Sequence, residues 1–114
     1  VKQIVDISNL NGNVDLQIFK SAGYKGIVAK VSEGETFVDR LWGQNYGNAR
    51  ALNLMVGLYH FARFKNKAKA IREANFFVSL IQNISPNFVV LDFQQDCSGD
   101  VTDVCLAFLD SIFL

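Results

Sequence analysis

A chain of 114 residues that is 50% hydrophobic and 19% charged, with one proline, is neither disordered nor collagen-like, and its length supports a single core. Eleven basic and eleven acidic residues cancel, so net charge lends no support to a polyanionic partner. No apolar run reaches the ~18 residues that cross a bilayer, and the opening VKQIVDIS lacks the order of a signal peptide, so the reading is of a soluble chain that is already mature or cut.

Along the chain one rhythm repeats: a short β-branched apolar run, a polar turn, then an amphipathic stretch. Ile4 to Ser8 reads as the first strand, with Val5 and Ile7 on one side and Asp6 and Ser8 on the other. After the turn NLNGN, residues Val14, Ile18, Phe19 and Ala22 fall at helical spacing, and Gly23 is placed as the stop. Gly26 to Val31 forms the second strand, followed by the polar loop SEGETF and a helix over 39–52 with Asp39 at its cap.

Met55 to Phe61 is the third strand, and the helix after it, over 68–81, carries Ile71, Ala74, Phe77, Val78 and Ile81 on one stripe. Asn87 to Phe93 is the most apolar strand, which predicts an interior position rather than an edge. A last helical pattern begins near Val101, with Asp100 and Thr102 as candidate caps, and is apolar at Leu106, Leu109, Ile112 and Phe113. Strands that begin near 4, 26, 55 and 87 read as four βα units of a parallel sheet, either open and doubly wound or the first half of an eight-stranded barrel.

Charge is unevenly spread. Residues 1–72 hold all eleven Lys and Arg against five acids, and 73–114 hold six acids and no base, which predicts attraction between the two parts or toward basic sequence elsewhere. Five of the bases (Arg63, Lys65, Lys67, Lys69, Arg72) lie within ten residues and read as the solvated side of a helix, not a nucleic-acid face. Cys97 and Cys105 read as free thiols, too far apart along a helical tract to bond. No metal-ligand spacing, GxxxxGK[ST], GxGxxG or GxSxG occurs, so no metal or cofactor is expected and Ser-His-Asp hydrolysis lacks its elbow serine.

Asp6, Lys30, His60, Asp92 and Gln94 stand at or near the carboxyl ends of apolar strands, where parallel α/β folds place their chemistry. In VVLD a carboxylate follows three residues that read as buried, so Asp92 is either paired, with Lys30 a candidate partner, or held for chemistry. At i,i+2 spacing Asp92 and Gln94 point the same way, and Asp6 supplies a second acid from another strand. Two neighbouring acids are what glycosidases use, and sixteen Asn and Gln residues suit a hydroxyl-rich ligand.

Read together, VDISNLNGNVD (5–15), IVAKVSEG (27–34), GLYHFARF (57–64), REANFF (72–77) and VVLDF (89–93) make the chain resemble the glycoside hydrolase family 25 lysozymes, the muramidases of phage endolysins and some bacterial autolysins. The resemblance implies a TIM-like parallel (β/α) barrel of which about four βα units are present, residues 1–114 being the N-terminal part of its catalytic domain. It implies Asp6 and Asp92 as active-site aspartates, with Gln94 at the position where the family carries its proton-donating glutamate. Tyr59 corresponds to an aromatic of the sugar cleft, and Lys30, His60 and Phe61 are carried beside it as substrate-binding residues.

The activity so implied is hydrolysis of the β-1,4 bond between N-acetylmuramic acid and N-acetylglucosamine in bacterial peptidoglycan. An amide cannot deliver a proton to the leaving oxygen, so Gln94 predicts an inactive or impaired chain, or a silent saccharide-binding module on the same fold. The resemblance further implies a C-terminal half of the barrel and a wall-binding module as partners, and no nucleic acid or membrane. The setting it implies is that of a phage endolysin released onto the host wall, or of a secreted autolysin.

Overall fold

The computed structural model describes residues 4–97 and 99–112. The elements run β1 (Ile4–Ile7), a 3₁₀ turn (Asn9–Asn11), α1 (Leu16–Ser21), β2 (Gly26–Glu33), β3 (Phe37–Val38), α2 (Trp42–Ala51), β4 (Met55–Phe61), α3 (Lys67–Ile81), β5 (Phe88–Asp92) and α4 (Val101–Ile112). The sheet has the order β1-β2-β4-β5, with β3 added to β2 as an antiparallel hairpin partner. β1 and β2 are parallel, with Ile4 opposite Gly26 and Ile7 opposite Ala29. The four strands read from the sequence therefore stand side by side in chain order, as successive units of a TIM-like (β/α) barrel do, and the doubly wound alternative is excluded.

The chain divides into two compact units. The first comprises residues up to Val31, Asp39–Tyr59 and Pro86–Val90. Its core is aliphatic: Ile7, Leu16, Ile27, Ala29, Val56 and Leu58 are buried, each of the Ile, Leu and Val side chains contributing roughly 1.5–3 kcal/mol. Asp15 caps α1 by accepting the Gln17 N–H, and Gly23, at φ 97°, ends it in the left-handed region that suits glycine. Leu16, not Ile18, is the buried residue of α1; Ile18 is 64% exposed, because a six-residue helix offers one turn to the core and the cap sets which residue faces it.

The helix expected from Asp39 begins at Trp42, with Leu41 at its cap. Asp39 has another task. Its buried carboxylate accepts the N–H of Leu41 at 2.8 Å and of Asn9 at 2.7 Å, tying the turn after β1 to the approach of α2. Where β2 and β4 begin, Lys25 accepts the Met55 N–H, and a Cβ on Gly26 would come within 2.3 Å of the Met55 carbonyl oxygen, so only glycine allows this approach.

The second unit comprises Ser32–Val38, His60–Ser85 and the chain from Leu91 onward. Its core is aromatic. Phe108 of α4 stacks on His60 at 5.2 Å and on Phe64 at 5.7 Å between ring centroids, and Phe77 of α3 lies 6.3 Å from Phe108. α3 packs on α4 through this cluster. Asn66 caps α3 by accepting the Lys69 N–H, and Asp100 does the same for Thr102 at the start of α4, so Asp100 is the cap and Thr102 is helical.

Three expectations change here. β2 continues through Ser32 and Glu33 into what reads as a polar loop, and with β3 makes a hairpin. The buried stripe of α3 is Ala70, Glu73, Ala74, Phe77 and Ile81, with Ile71 43% exposed: a buried acid takes the place of an aliphatic residue. β5 stands at one end of the strand order with Val90 37% exposed; its apolar sequence marks side chains suited to burial on both faces, whereas among the described residues only β4 borders it. Of the apolar positions expected in the last helix, Phe113 lies outside the described residues.

Candidate active site

Each residue singled out from the sequence can be placed on its strand. Asp6 sits on β1 in the first unit, its side chain exposed and its Cα opposite Val28 of β2. Lys30 on β2 is half-buried, and Tyr59 on β4 is 9% exposed. In the second unit β5 ends at Asp92, half-buried, and Gln94 follows it in the open.

The structure brings Asp92 and Gln94 together. Gln94 Nε2 donates to Asp92 Oδ1 at 2.8 Å, so the amide itself supplies the partner that the sequence left open for this carboxylate. The backbone of Asp92 is held separately, its carbonyl accepting the Ala62 N–H at 2.9 Å. The pair can therefore offer acceptor oxygens and one fixed amide to hydroxyl and acetamido groups.

His60 has a different environment from the one its strand position suggests. It is fully buried, with Nδ1 2.8 Å from Ser32 Oγ and Nε2 2.8 Å from Glu73 Oε1. Both ring nitrogens are thus engaged within the protein, and the expected direct contact with substrate gives way to an internal hydrogen-bond role. Phe61 is half-buried, and the Arg63 guanidinium lies over its ring at 4.9 Å.

Around these residues the β2–β3 hairpin is fastened by charge. Arg63 reaches Glu33, with Nε at 2.6 Å, and Arg72 reaches Glu35 at 2.9 Å, while Gly34 N–H donates to the Phe61 carbonyl. Both pairs join bases of residues 1–72 to acids of the same part, which differs from the attraction between basic and acidic parts that composition suggests. Glu73, Ser32 and Arg63 were not legible as a group. One signal did exist: Glu73 lies four residues before Phe77 on the apolar side of its helix, where an acid needs a partner.

Cys97 and Cys105 are both free thiols. Burial raises the Cys105 pKa above its ordinary value and the charge of Cys97 adds to the rise, which leaves less thiolate on Cys105 near neutral pH. Among the described residues no group of three or more His, Cys, Asp or Glu side chains converges to hold a metal, and no helix is long and apolar enough to cross a membrane.

Comparison with known proteins adds the context that geometry alone does not give. The family described as Glycosyl hydrolases family 25 matches residues 5–112. The lysozyme of Streptococcus phage Cp-1 is 33% identical over 112 residues, 95% of this chain and 32% of that protein. The chain thus spans about a third of the length of that relative. Among solved structures, the CTP1L endolysin superposes with a TM-score of 0.94 at 55% identity, covering 99% of this chain and 41% of that one. A glutamate-to-glutamine mutant of the Cpl-1 endolysin, complexed with a tetrasaccharide-pentapeptide as a peptidoglycan analogue, superposes with a TM-score of 0.80 at 34% identity, covering 96% and 32%.

Proposed function

The chain belongs to glycosyl hydrolase family 25, and from that premise we propose that it is the N-terminal part of a lysozyme domain directed at bacterial peptidoglycan. The linkage it would address is the β-1,4 bond between N-acetylmuramic acid and N-acetylglucosamine. Asp6 and Asp92 are the carboxylates of this reading. Tyr59, Lys30 and Phe61 belong to the saccharide cleft. The remaining barrel and a wall-binding module are its partners, and an endolysin or autolysin acting on the cell wall is its setting.

The observation that carries the proposal furthest is the hydrogen bond from Gln94 to Asp92, at the carboxyl end of the last strand of the sheet order. A glutamate at this place would protonate the departing oxygen while Asp92 supports the positive sugar centre. Glutamine keeps nearly the same volume and an acceptor oxygen, and removes a negative charge beside Asp92, so binding is retained while proton delivery is lost. The Cpl-1 complex supports this division, since a glutamate-to-glutamine mutant of that endolysin was crystallised with a peptidoglycan analogue. The same bond favours a second reading, a silent saccharide-binding module.

The test is lysis of purified cell walls by the complete domain with Gln94 and with Gln94→Glu, alongside affinity for a chitooligosaccharide. The expected result is a rate about 10²- to 10⁴-fold higher for Gln94→Glu, with affinity changed little. Equal rates would remove position 94 from the chemistry. Binding without lysis in both forms would establish the module reading instead.

A further inference from the structure

The order Ser32, His60, Glu73 is that of a nucleophilic triad, yet its chemistry is closed off. Ser32 is 0% exposed, so no carbonyl carbon can reach its hydroxyl. What the three side chains do share is a continuous set of hydrogen bonds with an exit. A carboxylate only accepts, so Glu73 Oε1 takes the N–H of His60 Nε2, and the same oxygen takes the backbone N–H of Arg63 at 3.0 Å. With its proton on Nε2, His60 accepts the Ser32 hydroxyl at Nδ1. One residue before Arg63, the Ala62 N–H donates to the Asp92 carbonyl.

A carboxylate among Ala70, Ala74, Phe77 and Ile81 is costly to bury, and an aliphatic residue would pack that stripe without the penalty. The carboxylate gives what no aliphatic side chain can: one oxygen that fixes the imidazole ring and the backbone of the segment leaving β4. That segment in turn holds the backbone of Asp92. Phe77 and Phe108, with ring centroids 5.8 and 5.2 Å from the His60 ring, fix the imidazole from its sides.

We infer that Glu73 is a positioning residue for Asp92, acting through the Ala62–Arg63 backbone to set the carboxylate at the end of β5. The inference rests on the proposed reading in which Asp92 faces the saccharide. It assigns no contact with substrate to Glu73 or His60. The carbonyl bond to Ala62 determines where the Asp92 backbone sits, and the Gln94 amide then orients the side chain from that fixed base.

Glu73→Gln and Glu73→Ala in the complete domain distinguish positioning from packing, because glutamine keeps the acceptor oxygen and alanine does not. Two readouts are needed: affinity for N-acetylchitotetraose by calorimetry, and amide exchange at Ala62 by NMR. The Val56 amide, which donates to Asn87 Oδ1, serves as the reference for general loosening. Glu73→Ala is expected to weaken binding by about tenfold or more and to speed Ala62 exchange relative to Val56, with Glu73→Gln within about threefold of the parent in both.

Unchanged values in Glu73→Ala overturn the inference, as do equal losses in both variants or equal acceleration at Ala62 and Val56. A parent that binds no saccharide overturns the functional reading, and Ala62 exchange then decides the relay alone. Should Glu73→Ala fail to fold, Glu73→Leu, which fills the space but offers no acceptor oxygen, replaces it. Faster Ala62 exchange in that variant supports the relay, and none refutes it.

Discussion

Two polar groupings of the second unit are built on opposite terms. Ser32, His60 and Glu73 are enclosed, with relative exposures of 0%, 0% and 2%, whereas Asp92 and Gln94 hold their one mutual bond at the surface. The enclosed group is satisfied by neighbours alone, because a buried polar atom without a partner costs about 1–3 kcal/mol. The open pair can leave oxygens and amide protons to water or to a ligand. Structural polarity is thus sealed among aromatic rings, and polarity available for recognition stays at the strand end.

The largest effect that would break this comparison lies in the aromatic wall. Phe108 touches His60, Phe64 and Phe77 and is fully buried, so Phe108→Ala is expected to cost about 3–5 kcal/mol, read by chemical denaturation. It also opens space beside the imidazole, admitting water to bonds now shielded. A loss below about 1 kcal/mol would mean that the stack is not what encloses the buried group.

How much of this was legible differs between the two groupings for a physical reason. The strands announce themselves in local composition, and Asp92 and Gln94 are visible as polar residues ending an apolar run. The enclosed group joins residues 28 and 13 positions apart, and no local pattern reports such a pairing. Ser32 and Glu33 read as loop because they are polar. They extend β2 because partners on β4, on the segment after it and on α3 meet their side chains and those of the hairpin. The apolar run of β5 predicted an interior strand, but strand order depends on what lies beside it, which composition does not state.

A smaller effect tests the β2–β3 hairpin, to which Ser32 of the enclosed group belongs. Arg72 and Glu35 form an ion pair at 2.9 Å with both side chains largely exposed, 53% and 41%. Arg72→Ala is therefore expected to cost no more than about 0.5–1 kcal/mol at low salt, and less at high salt, where screening already weakens the pair. Denaturation at two ionic strengths checks it. A larger loss that salt does not change would move this pair from the solvated category to the enclosed one.

The smallest stability effect is expected at the open pair, and it separates the two groupings most cleanly. Gln94 is exposed and donates one bond to a half-buried carboxylate that water can reach in its place. Gln94→Leu should therefore shift stability by under about 0.5 kcal/mol, or a melting temperature by at most about 3 °C for a domain of this size. Chitotetraose affinity should fall in the same variant, because leucine removes both the acceptor oxygen and the amide that orients Asp92. Calorimetric melting and binding on one preparation give both numbers. A melting change above about 6 °C would place Gln94 with the structural polar groups, since only a bond that solvent cannot replace would cost that much. Unchanged affinity at an unchanged melting temperature would show that the open pair, although free to meet a saccharide, is not where the saccharide is held.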